Sequence, residues 1–246
     1  MTFVFEEIDY QETPLGAISL RRRSEPRLNN KILFEVKLNE EFLMSSLFTE
    51  AEIQLSKLGL ASLTDQDINV VVGGLGLGYT AQAALAFENV KTLNVIDVMK
   101  PVIDWHEQGL VPLGNELTSD SRCTFTHGDF FELATSPLKK FDGSDLNDDN
   151  IEDDKFHAIL LDIDHSPSYW LNPINAEFYT LEGLTAMAKK LHTGGIFALW
   201  SDEPPADEFM ALLNQVFDHT TSKVVPFPNP FTGGESTNSV YVAYKR

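Results

Sequence analysis

Residues 68–97 read INVVVGGLGLGYTAQAALAFENVKTLNVID, and this stretch limits the folds open to the chain more than any other. Its opening run, Ile68, Val70, Val71 and Val72, has the length and β-branching of a strand buried on both faces. A glycine loop follows, with Gly73, Gly74, Gly76 and Gly78, and then a helix-like stretch over residues 80–87. A second apolar run, Leu93 to Ile96, stops at Asp97. Strand, glycine turn, helix, strand and terminal acid make a βαβ unit whose first turn brings bare backbone close to a nucleotide. The acid is placed to accept hydrogen bonds from ribose hydroxyls. The expectation is a nucleoside-containing cofactor; the alternative is that the glycines only close a tight turn.

Glycine spacing narrows that ligand. A dinucleotide fingerprint, G-x-G-x-x-G, counted from Gly74 requires a glycine where Tyr79 stands; counted from Gly76 and Gly78 it ends on Ala81, the tolerated small variant. The loop has no basic residue and no G-K-[ST] ending, which disfavours a pyrophosphate ligand and ATP hydrolysis. An S-adenosyl sulfonium compound suits it better.

Composition bounds the rest. A chain of 246 residues with 43% hydrophobic residues fits one α/β domain with a small appendage, or two small domains. No apolar run approaches the roughly 20 residues of a membrane span, and residues 1–10 lack signal-peptide character. The single Cys123 fits a reducing cytoplasm and reads as a small buried hydrophobe rather than a metal ligand or nucleophile beside His127. Net charge is −19, which repels nucleic acid and attracts a small cationic substrate such as a polyamine. Part of that charge is local, because residues 142–154 read DGSDLNDDNIEDD, an acidic insertion expected to be a solvated loop.

Along the chain, residues 1–48 read as a small β-domain with strands at 16–22, 32–38 and 42–46. Arg21, Arg22 and Arg23 are expected as a solvated cluster on an edge strand. A helix over 48–60 opens the second domain, 49–246, with Thr49 as its cap and Gly59 near its end. Strands at 68–72, 93–97, 123–127, 156–162 and 196–200 alternate with helices, which implies a mostly parallel sheet covered on both faces. A helix is expected over 174–191 with Gly194 and Gly195 at its exit, and another carries Phe209, Leu212, Leu213, Val216 and Phe217 on one face. Residues 223–227 and 239–245 close the chain as two strands.

Chemistry is expected beyond the carboxyl ends of these strands. After the third, Asp129 is positioned to accept from an adenine amino group with Phe130 packed beside the ring; capping of the next helix explains Asp129 equally well. After the fourth come Asp162, Asp164 and His165. Asp162 or His165 is a candidate proton acceptor, and Asp164 a partner for a cation. The fourth-strand cluster lacks the further converging ligands a metal needs, so no metal is expected. Tyr169 and Trp170 suit the wall of an amine pocket. Trp200 ends the fifth strand, and Asp202 and Glu203 read as caps of the helix that follows.

Taken in order, these residues resemble the spermidine synthase family of aminopropyltransferases, which shares the class I S-adenosylmethionine-dependent methyltransferase fold. The family's G-G-G-D-G-G lies over Gly73-Gly74-Leu75-Gly76-Leu77-Gly78, and its ribose-binding acid over Asp97, followed by Val98 and a run into a helix. Its G-D pair for adenine falls on Gly128-Asp129, and its D-S-S-D-P loop on Asp162-Ile163-Asp164-His165, with Pro167 displaced by one. The resemblance spans about Leu33 to Trp200. It implies a Rossmann-like methyltransferase sheet behind a small N-terminal β-domain, Asp162 as catalytic base, and a homodimer. Two family acids are missing: Gly76 stands where the donor amine is held, and His165 where the polyamine is held. Both losses weigh against ordinary putrescine aminopropylation, because a desolvated ammonium without a partner is costly.

Three readings follow. The first is aminopropyl transfer from decarboxylated S-adenosylmethionine to a small amine, leaving methylthioadenosine. The second is methyl transfer from S-adenosylmethionine, leaving S-adenosylhomocysteine, with the donor's carboxylate on the glycine-loop amides. The third is a non-catalytic nucleoside binder or scaffold. Replacing Asp97 by Ala is expected to abolish nucleoside binding with little loss of fold.

Overall fold

The computed structural model describes residues 3–64, 67–146 and 154–245. The chain opens with four antiparallel strands in the order β1 (Phe5–Thr13), β2 (Gly16–Glu25), β3 (Lys31–Leu38) and β4 (Glu41–Ser45). β1 has an exposed sequence with no alternation to mark it, which is why sequence patterning does not delimit it. Ile18, Leu20, Val36 and Leu38 alternate inward along β2 and β3 and are all buried. The arginine trio does not lie on an edge: β2 is flanked by β1 and β3. Arg22 pairs with Glu6 at 2.5 Å, and Arg23 with Glu25 and Glu35 at 2.7 Å each. Acids across the sheet, Glu6 on β1 and Glu35 on β3, absorb these cations together with Glu25 on β2 itself.

The rest of the chain alternates helix and strand: α1 (Glu50–Leu60), β5 (Ile68–Gly73), α2 (Tyr79–Leu85), β6 (Val90–Asp97), α3 (Lys100–Glu107), α4 (Gly114–Ser119), β7 (Cys123–His127), α5 (Phe130–Thr135) and β8 (Phe156–Leu161). After them come α6 (Leu181–Ala188), β9 (Leu191–Ser201), α7 (Asp207–Val216), β10 (His219–Asn229) and β11 (Gly234–Tyr244). β5 to β11 form one seven-stranded sheet, ordered β10-β11-β9-β8-β5-β6-β7. β5 to β9 pair in parallel, while β11 and β10 add antiparallel. Val70 and Val72 face one hydrophobic cluster and Val71 the other, so β5 is covered on both sides, as its apolar run requires. α1 to α4 and the N-terminal sheet share the first cluster; α5 to α7 share the second. Each such buried aliphatic side chain contributes roughly 1.5–3 kcal/mol.

One element differs in kind from expectation. In place of a helix over 174–191, Pro173–Glu177 forms a 3-10 turn, and α6 starts only after Thr180, whose hydroxyl accepts from Gly183 N. Gly194 and Gly195 lie inside β9 rather than at a helix exit. Gly194 adopts φ +77°, and the pairing with β8 slips between Phe156↔Leu191 and Ala158↔Ile196. Of the acidic insertion, residues 147–153 lie outside the described residues. Cys123 is a free, half-buried thiol pushed up to about 12 by burial, so it stays protonated and unreactive.

Candidate active site

Strand order reverses at β5: β6 and β7 run out on one side, β8 and β9 on the other. A crevice opens beyond the strand ends at such a point. Here it is a cavity of about 200 Å³ between those ends and the N-terminal sheet, which roofs it with Leu15, Ile18, Val36, Leu38 and Met44. Two contacts seat that roof: Trp105 on α3 donates its indole N–H to Asp9 at 2.6 Å, and the Thr13 hydroxyl reaches Met99 Sδ at 3.5 Å.

The glycine loop forms the floor. Gly74, Gly76 and Gly78 take φ of +94°, +47° and +92°, which side chains rarely tolerate. A Cβ on Gly74 falls 2.0 Å from the Asp162 carbonyl oxygen, and one on Gly76 falls 2.5 Å from Met44 Sδ. The loop amides are spent internally. Gly74 N–H donates to Ile96 O, Gly78 N–H to Leu75 O and Leu77 N–H to Met44 Sδ. Asp97 takes the Leu75 N–H of the loop at 3.0 Å and also accepts from Met99 N, two residues beyond it, at 2.7 Å. Burial pushes the Asp97 carboxyl up, opposed by the backbone donors of Leu75, Met99 and Gly76. Below the loop, buried His106 joins its Nε2 to Gly76 O at 3.0 Å.

Asp129 caps α5: its Oδ1 accepts from Phe131 N at 2.8 Å and Glu132 N at 3.3 Å. The capping role therefore holds, and it coexists with a place in the cavity wall beside Phe130. Val98 is 43% exposed and lines the same wall.

On the opposite side, Asp162 follows β8 and accepts from the Thr80 hydroxyl at 2.6 Å. Glu52 joins it from α1, 9% exposed and also lining the cavity. Burial raises both carboxyls above their ordinary range; the charge of Asp162 raises Glu52 further, and the Thr80 bond opposes the rise at Asp162. Tyr79 is raised by burial and by Glu52. Glu52, Asp97, Asp129 and Asp162 all line this cavity, and no lysine or arginine does among the described residues.

The segment after Asp162 departs from its expected role at one residue. Asp164 is 1% exposed, and its oxygens accept from Leu171 N, Asn175 Nδ2 and Tyr179 OH at 2.8–2.9 Å. It organises the loop and is closed to a substrate cation. His165 places Nε2 3.0 Å from Glu41 Oε1 and Nδ1 3.6 Å from Asp202 Oδ2, stacked on Tyr169 at 4.8 Å. It bridges the roof to the end of β9 while still lining the cavity. Tyr169 is 56% exposed and Trp170 donates to Pro167 O; neither lines the cavity, whereas Trp200 does.

Gly74, Gly76, Asp97, Val98, Asp129, Phe130, Asp162, His165 and Trp200 thus converge on one cavity. Gly73, Gly78 and Gly128 support it from behind; a Cβ on Gly73 meets the Phe130 ring at 2.6 Å, and Gly128 N–H donates to Asp97 O. Sequence reasoning missed Glu52, Tyr79 and Met44. A signal for Glu52 existed, since it shares the buried face of α1 with Leu55, Ser56 and Gly59.

No family model matches the chain. Among solved structures it is similar to a spermidine synthase in complex with the transition state analogue AdoDATO, at TM-score 0.71 and 17% identity, covering 98% of this chain and 74% of that one. It is likewise similar to spermidine synthase from Thermotoga maritima, at TM-score 0.69 and 17% identity, covering 98% and 73%. The chain has the spermidine synthase fold: a mostly parallel Rossmann-like sheet behind a separate antiparallel N-terminal sheet.

Proposed function

We propose that the chain transfers an aminopropyl group from a decarboxylated S-adenosyl donor to a small cationic amine, acting as a cytoplasmic homodimer. The observation that carries this reading is the cavity itself, lined by four carboxylates and, among the described residues, by no lysine or arginine, set at the strand ends of the spermidine synthase fold. Such a lining favours a cationic donor and a cationic acceptor. The AdoDATO complex of the similar spermidine synthase supports an S-adenosyl-type ligand in the corresponding crevice.

The residues divide the work. Asp97 keeps lone pairs for ribose hydroxyls beyond those used by Leu75 and Met99, and Asp129 keeps Oδ2 for an adenine amino group. Phe130 and the glycine loop line the cavity, where a flat ring would pack on the one and a sulfonium chain would run along the other. The donor supplies an electrophilic carbon beside its sulfonium and leaves as a neutral thioether. Asp162 takes the proton that the attacking amine nitrogen sheds, and its raised affinity for protons suits that task near neutral pH. Thr80 holds it in place.

The same loop bears on methyl transfer. S-adenosylmethionine brings a carboxylate, yet the amides of residues 74, 75, 77 and 78 already donate within the protein. This favours the decarboxylated donor. The test is calorimetric titration with both donors and with methylthioadenosine, followed by turnover across an amine panel and light scattering. Aminopropylated product supports the reading; methyl transfer from S-adenosylmethionine replaces it; tight methylthioadenosine binding without turnover leaves a nucleoside binder. A monomer mass at micromolar concentration removes the homodimer.

A further inference from the structure

Glu52 has no role in the chemistry above, and its position is hard to explain without one. It stands on the buried face of α1 beside Leu55, Ser56 and Gly59, with 9% of its surface exposed, and it opens on the cavity. Buried carboxylates are normally matched by donors. Among the described residues no donor from another residue reaches its carboxylate; the bonds around it belong to its neighbours. The Thr80 hydroxyl serves Asp162 at 2.6 Å and touches only the Glu52 backbone carbonyl, at 3.4 Å. The Ser56 hydroxyl serves Thr80 O.

The ionisable groups acting on Glu52 are Asp162 at the end of β8, Tyr79 at the start of α2 and Glu50 on its own helix. None supplies a positive charge. His165, Asp97 and Asp129 complete the titratable lining of the cavity. The glycine loop has no acid to offer either. Any side chain at Gly76 meets Met44 Sδ, and Met44 also receives Leu77 N–H.

We propose that Glu52 receives the terminal ammonium of the donor's side chain, supplying from α1 the acid that the loop lacks at Gly76. This rests on the aminopropyl reading above. Before the donor binds, burial and the facing Asp162 favour a proton on Glu52. An arriving ammonium replaces that proton: the carboxyl becomes a carboxylate paired with R–NH3⁺, and the proton passes to solvent. An amino acid tail fits poorly, because its own carboxylate would face Glu52 and Asp162 with no lysine or arginine in the lining among the described residues.

The experiment titrates the full chain and Glu52→Gln with three ligands: decarboxylated S-adenosylmethionine, its thioether counterpart (ammonium kept, sulfonium removed) and methylthioadenosine, which has neither. Runs at pH 7 in two buffers of different ionisation heat count protons released. Glu52→Gln is expected to weaken both amine-bearing ligands on the order of 30-fold or more. It should leave methylthioadenosine nearly unchanged, and abolish the proton release that accompanies amine binding. Equal loss for all three ligands, or no loss for the amines, overturns the assignment. Loss confined to the sulfonium ligand moves Glu52 to the sulfonium and overturns it too. If the wild-type chain binds none of the three, the aminopropyl reading falls with it; if it binds all three and Glu52→Gln changes nothing, only the role of Glu52 falls.

Discussion

The acids on the two sides of this cavity are built differently. Asp97 and Asp129, on the nucleoside side, each accept two backbone N–H groups, and Asp164 behind the opposite wall accepts three donors. Asp162 accepts one hydroxyl, and Glu52 none from another residue among the described residues. A buried carboxylate surrounded by fixed donors is compensated and serves to hold chain in place. One with few donors retains an unmet electrostatic demand, which a cationic substrate can meet. Acids of one chemical type thus divide into architecture and chemistry according to the donors the fold brings to them.

The hardest test of that division is Asp162→Asn. It preserves shape and the Thr80 contact but removes the proton acceptor, so turnover is expected to fall by on the order of 10²–10⁴ while donor affinity persists. Full activity in Asp162→Asn with loss in His165→Ala would transfer the base role to His165. Asp97→Ala attacks the architectural side. With Leu75 N and Met99 N left unpaired, methylthioadenosine affinity is expected to drop about 10- to 100-fold, and stability by about 1–3 kcal/mol. That stability loss is larger than sequence reasoning alone suggests; an unchanged melting temperature would show that the loop does not need its acid.

Gly76→Asp restores the acid of the family motif and sharpens the contrast from the other direction. It strains a φ of +47° and drives into Met44, so a loss of about 1–3 kcal/mol is expected, partly recovered by adding Met44→Ala. Denaturant titration of the single and double variants reads this; a fully stable single variant would mean that Met44 yields freely. Asp164→Asn is expected to cost less, about 1–2 kcal/mol, and to lower the melting temperature more than it changes donor affinity.

The smallest effect is in pH. Burial raises Glu52, Asp97, Asp162 and Asp164, so their protonated forms favour the folded state. That stability is full below the unfolded carboxyl values near ~4 and is lost as pH rises through the raised native ones. Melting temperature measured without added ligand should decline from about pH 5 towards 8, by a few degrees at about 2–4 °C per kcal/mol, and Glu52→Gln should flatten the slope. Glu25 acts in the opposite sense. Arg27 and Arg23 hold it down to about 2, so its contribution is lost only in acid below this window. A wild-type melting temperature that climbs from pH 5 to 8 would contradict the picture.

Local sequence was enough to determine the βαβ unit, the glycine loop after its first strand, and Asp97, Asp129 and Asp162 at strand ends; the left-handed φ values of Gly74, Gly76 and Gly78 came only with the fold. Strand length, β-branching and glycine placement act over a few residues, and the parallel sheet follows from their alternation. Pro173 and Thr180 show where that reach stops. Their apolar neighbours read as one long helix, but capping chemistry split it, and Gly194 was absorbed into a bulge of β9. Only the tertiary structure decided what each acid does. Asp164 looked as free as Asp162 until Asn175 and Tyr179 closed on it, and Glu52 and Met44 reach the cavity from elements far away in sequence. Periodicity tells which face of an element is buried; which distant donors meet that face, and so which charge remains unmet, is set by packing alone.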